Sequence, residues 1–130
     1  MAPSGRKIVV VDVGADDRSS SPLTPVMLAL GDQVVSGVHT RQGVPLIESV
    51  VLATAKAMER LMPQCSFLMD EVRLTEQPDR SRTVFVTGRV AIDEREFGVS
   101  AVRQVEKDLY FAAAEATVDA ILSADPIQKL

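Results

Sequence analysis

His39 is the only histidine in the chain, so a Ser-His-Asp or Cys-His catalytic site would have to be built around it. It stands in "GVHTR", at the end of a β-branched run, where an exposed or half-buried structural histidine is expected. Cys65 is likewise alone, which excludes an intrachain disulfide and a cysteine-based zinc site. Followed by "SFLM", it reads as a small core hydrophobe. Asp12, Asp16 and Asp17 suggest a hard cation, but the glycine and ligand spacing of a calcium loop is missing. The adjacent carboxylates Asp70 and Glu71, and Glu94 with Glu96, have the residue types for acid–base work. Each pair falls in a strand or hairpin context, where outward charge is the ordinary result. Phosphate loops and dinucleotide fingerprints are absent. No catalytic residue, metal site or cofactor is predicted.

Two short polar stretches share their letters: "DDRSS", Asp16 to Ser20, and "PDRSR", Pro78 to Arg82. Asp and Ser side chains bond nearby backbone and favour turns, so both stretches read as the same loop of a unit written twice. The surrounding sequence supports that repeat. "KIVVVDV", "TPVMLAL" and "DQVVSGVHT" are strand-like runs, the last two separated by the hairpin signal Gly31-Asp32. From Pro45 the residues Ile47, Val50, Val51, Thr54, Ala55, Met58 and Leu61 recur at the spacing of one helix face until Pro63. "SFLMDEVRL", "TVFVTGRVAI" and "REFGVSAVR" then replay the strands around Asp93-Glu94. Leu109, Ala112, Ala113, Ala116 and Ala120 mark a closing helix. A displacement of sixty-one residues pairs Asp32 with Asp93, Gly37 with Gly98, Val44 with Val105 and Leu61 with Leu122.

The predicted fold is therefore α+β: one domain over residues 1–130, made of a first βββα unit at about 7–62 and a second at about 66–124. One unit alone exposes an apolar sheet face and an apolar helix stripe, so the two are expected to pair about a pseudo-twofold axis as antiparallel sheet covered by two helices. The first helix is apolar almost all round. That predicts a homodimer packed on it, with Leu52 and Ala53 on the outer side and Ile47, Val51 and Met58 inward. The net charge of −4 and scattered Lys and Arg predict no nucleic-acid partner. No apolar run has the length of a membrane span, and "MAPSGRK" lacks the apolar core of a secretory signal, so a cytoplasmic location with no membrane partner is expected.

The pattern resembles a known family on specific residues. The repeated βββα unit, the "FGVSAV" step from Phe97 to Val102 running into "AAAEATVDAIL", Ala112 to Leu122, and Gly43 with Pro45 in "QGVPLIESV" resemble the C-terminal regulatory domain of α-isopropylmalate synthases and citramalate synthases. The catalytic barrel of those enzymes has no counterpart in these residues. The resemblance implies a non-catalytic, allosteric, leucine-sensing type of module. On the residues themselves, a ligand is expected at the seam between units, at "GVHTRQG" and "GVSAVRQ". There Gly37, Gly43 and Gly98 would admit a ligand to the backbone, and Arg41 and Arg103 would hold a small carboxylate, beside His39 and Ser100. The alternatives are a small cyclase, isomerase or hydrolase with a pocket between sheet and helices, and a scaffold that binds a protein partner.

Overall fold

The computed structural model describes residues 7–15, 22–40 and 43–128. The order is β1 (Ile8–Val13), β2 (Leu23–Leu30), β3 (Gln33–Thr40), α1 (Leu46–Leu61), β4 (Cys65–Glu76), β5 (Arg82–Ile92), β6 (Arg95–Gln104), α2 (Leu109–Leu122) and a short α3 (Asp125–Gln128). Apart from α3, which the sequence reading lacks, these are the predicted elements in the predicted order. They form two separate antiparallel sheets, β1-β2-β3 and β4-β5-β6, so the α+β class and the two βββα units stand.

Local chemistry accounts for the connections. Gly31 takes the left-handed φ of 60° that the first hairpin demands, and Asp93 and Glu94 take φ of 50° and 66° in the second, the two positive values of a type I′ turn. In "PDRSR", the Asp79 carboxylate accepts from the Ser81 backbone N–H at 3.0 Å and the Ser81 hydroxyl at 2.6 Å. This is the turn chemistry expected of that loop; "DDRSS" lies outside the described residues. Asp108 caps α2 by accepting from the N–H groups of Tyr110 and Phe111 at 2.8 and 3.0 Å, a contribution of about 1 kcal/mol.

The helices do not simply cover the sheets. α1 lies on β2 and β3 and also meets α2 and β4, while α2 lies on β5 and β6 and also meets α1 and β1. The pair thus forms a middle layer with a sheet on either side. A helix in that position is enclosed on most of its circumference, which requires small residues: Ala53, Ala57, Ala113, Ala114, Ala116 and Ala120 are fully buried. The apolar girth of α1 is therefore explained within one chain and does not call for a second subunit. Ala53, expected on an outer face, is sealed against β3, and Leu52 is half-buried.

The internal repeat is closer than the sequence register indicates, and differently aligned. The buried positions of α1 are Ser49, Val50, Val51, Ala53, Thr54, Ala55, Ala57 and Met58; those of α2 are Ala112, Ala113, Ala114, Ala116, Thr117, Val118, Ala120 and Ile121. The second set is the first displaced by sixty-three residues at every position. Thr54 donates to the Val50 carbonyl at 2.7 Å, and Thr117 to that of Ala113 at 2.8 Å. In the hairpins, Leu30 pairs with Gln33 and Ile92 with Arg95, a displacement of sixty-two. The expected sixty-one is wrong by one, and in a strand one residue exchanges the two faces. Gly37 is consequently equivalent to Val99, not to Gly98.

Candidate functional site

Because side chains alternate along a strand, that slip decides which expected site residues can meet. On β3, Gly37 and His39 point towards the helices; on β6, Gly98 and Ser100 lie on the opposite, exposed face of their sheet, and only Arg103 points towards α2. The expected constellation of Gly37, His39, Gly98, Ser100 and Arg103 therefore does not converge at one seam. Arg41 lies outside the described residues. Gly43 precedes α1 with φ of 73°, so its glycine serves the turn. Gly37 serves packing: a Cβ there would run into the Ala53 carbonyl and come within 2.5 Å of the Ala57 nitrogen, so it seats α1 on β3 and leaves no room for a ligand.

Arg103 already has partners. Its Nε donates to Asp119 Oδ2 at 2.5 Å, its Nη2 to Asp119 Oδ1 at 3.3 Å, and Glu115 Oε2 lies 3.4 Å from Nη1. The hydrogen bonds to Asp119 hold the guanidinium even more firmly protonated than usual. This fork-on-carboxylate geometry pins β6 to α2 and is not free to receive a second carboxylate.

The polar cluster of the molecule sits in the first unit. His39 Nδ1 is 2.9 Å from Ser49 Oγ, and Ser49 donates to Thr24 Oγ1 at 3.0 Å. Thr24 and Ser49 are fully buried and His39 half-buried. With the Ser49 hydroxyl donating to Thr24, the Ser49 oxygen can accept from an Nδ1–H, the tautomer that leaves Nε2 as the lone-pair nitrogen. Burial first, and the Lys56 ammonium second, push His39 below the ordinary histidine value. Ser49 was not singled out from the sequence, because it sits in an apolar helical repeat and only the fold brings it under His39.

The same three positions in the second unit are Val86, Ala101 and Ala112. An identical architecture is thus completed there without a polar atom. Near the first cluster, the helix position matching Asp119 is Lys56 and that matching Glu115 is Leu52. At these two positions the second unit's carboxylates are replaced by a cation and an apolar residue.

The cluster does not form a nucleophilic site. A serine with no exposure cannot reach a substrate carbonyl. Asp70 is exposed and lies 3.5 Å from Arg89. A shallow cleft is lined by Glu106, Lys107, Asp108, Phe111, Ala112 and Glu115, away from both His39 and Asp70. Cys65 is buried, and burial followed by the Asp93 charge pushes its thiol up, towards an unreactive protonated form.

Exchanging the first unit's cluster for the second's, Thr24→Val with His39→Ala and Ser49→Ala, should leave stability within about 1 kcal/mol, because donors and acceptors leave together. Ser49→Ala alone should cost about 1 to 2 kcal/mol by stranding its partners. The wild type should lose stability as pH falls below the ordinary histidine value towards the lower folded value, since the unfolded chain then binds more protons. The triple variant should lose that component. Urea titrations over a pH series measure both effects; a triple variant weaker than the three single changes combined would show the cluster to be structural.

Among the described residues, no helix is long and apolar enough to cross a membrane. In comparisons with known proteins, the chain matches no family model and no curated protein.

Proposed function

We propose that this chain is a non-catalytic, dimerising regulatory module that senses a small carboxylate at its first unit. The observation that carries the reading is the difference between matched positions of the two units: His39, Ser49 and Thr24 with Lys56 in one, Ala101, Ala112 and Val86 with Asp119 in the other. A buried polar chain is less favourable than apolar packing unless it is fully satisfied. The second unit demonstrates that the fold does not require one. A carboxylate beside Lys56 and His39 would find an ammonium and an imidazole that takes up a proton as the anion arrives. The resemblance to the regulatory domain of α-isopropylmalate synthases points the same way, towards a small acid as effector, and is part of this proposal.

A panel of small mono- and dicarboxylic acids, including amino acids, provides the test by thermal shift and calorimetry. At least one acid should raise the melting temperature of the wild type. Lys56→Ala and His39→Ala should each weaken its binding tenfold or more, a loss of about 1.4 kcal/mol or more, and Arg103→Ala should leave it unchanged. Arg41→Ala should weaken binding as well if the sequence-based expectation for that residue holds. No response to any acid in the panel, or a response that survives both Lys56→Ala and His39→Ala, would sink the proposal.

A further inference from the structure

The two sheets turn their inner faces to the helices, so each has an outer face directed away from the rest of the chain. On the second sheet that face carries Leu68, Phe85 and Val102 among charged side chains that pair with one another. Arg89 lies between Asp70 at 3.5 Å and Glu96 at 3.3 Å, and Arg73 bonds Glu71 at 2.7 Å over the Phe85 ring. On the first sheet the corresponding face is apolar apart from Ser36, Thr40 and Asp12. Val9, Val11, Leu23, Met27, Val34 and Val38 are each between 36% and 56% exposed. The strand register places them on one surface, with Val9 beside Ala29, Ala29 beside Val34, and Val38 beside Pro25. The charged residue on this face is Asp12, opposite Met27 on the edge strand β1. The second unit completes the same architecture with a charged outer face, so the apolar one is not a requirement of the fold.

Resting on the dimerising part of the proposed function, we infer that this face receives the same face of a second copy of the chain about a twofold axis. Two features favour that occupant. The face is self-complementary: it is apolar, and its lone carboxylate sits on an edge strand instead of at the centre, so a copy of itself brings no like charges together there. Its size suits a small interface. Three strands of six to eight residues cover roughly 14 by 26 Å at standard strand spacings. That is about 360 Å² of flat sheet per partner before side-chain relief is counted, which places the contact at the small end of protein interfaces. Face-to-face sheets pack about 10 Å apart with strands within about 30° of each other, which suits a layer of Val, Leu and Met side chains.

Sedimentation or light scattering on the full chain distinguishes the outcomes. The wild type should run at twice 14.0 kDa. Val34→Glu and, as a second variant on another strand, Val9→Lys should each raise the dissociation constant about a hundredfold with circular dichroism unchanged. Val102→Glu, on the outer face of the second sheet, should remain dimeric. A dimer that survives both first-sheet charges overturns the surface assignment while leaving the dimerising reading in place. A wild type that is monomeric up to sub-millimolar concentration overturns both and assigns the face to a different protein partner. If both first-sheet variants unfold, the face belongs to the monomer's own stability and the inference fails.

Discussion

Gly37→Val should be the most damaging single substitution of a small residue in this protein, costing about 3 kcal/mol or more and leaving the chain largely unfolded at moderate urea concentrations. The atoms in the way of a Cβ are helix backbone, the Ala53 carbonyl and the Ala57 nitrogen, which cannot move aside as a side-chain tip would. α1 would have to lift off β3, and because it is also packed on α2 and β4, the displacement spreads through the middle layer. A domain's whole stability is only about 5 to 15 kcal/mol. Gly98→Val provides the contrast. No atom lies within 4 Å of a Cβ there, and its backbone lies outside the left-handed region. A β-branched residue suits an exposed strand position, so this change should be neutral or stabilising by a few tenths of a kcal/mol. Chemical denaturation followed by circular dichroism measures both. Equal stability of Gly37→Val and wild type would refute the seating of α1 on β3.

Ala53→Glu and Leu52→Glu form the second pair. Ala53 is fully buried in the contact between α1 and β3. An unpaired carboxylate at such a position costs several kcal/mol or is forced to take up a proton, so the variant should be unfolded at neutral pH. Leu52, one residue along and about 100° around the helix, is half-buried and should accept the charge with a loss of about 1 kcal/mol. With the dimer formed through the first sheet, Leu52→Glu should stay dimeric. A monomeric but folded Leu52→Glu would instead return the interface to α1.

Much of the fold was legible because it depends on short-range rules. Alternation along Thr24, Val26 and Leu28 marks one face of a strand, the apolar spacing of Val50, Val51, Thr54 and Met58 marks a helix, and Gly31-Asp32 and Asp93-Glu94 mark hairpins. Each signal spans a few residues and reflects local backbone preference. The candidate site was hardly legible. His39 was visible, but its partners Thr24 and Ser49 are fifteen and ten residues away, on a neighbouring strand and a helix, and neither has a local pattern that distinguishes it. Arg103 looked like a ligand-binding cation because nothing in the letters shows that Asp119, nearly three turns into α2, closes over it.

What the sequence by itself determined, then, was the order and type of the elements, and that they come twice: strand and helix periodicities and turn residues are properties of neighbours along the chain. What only the tertiary structure decided was the register of the repeat, the layer each element occupies, and therefore which faces are buried. Gly37 and Gly98 match as letters, yet hairpin pairing sets the strands at sixty-two residues and helix burial sets the helices at sixty-three. Because strand side chains alternate at every residue, a displacement of one sends Gly37 into the core and Gly98 to the surface. The same long-range packing placed both helices between the sheets, which consumed the apolar girth of α1 inside one chain and left six of the large exposed apolar side chains on the outer face of the first sheet.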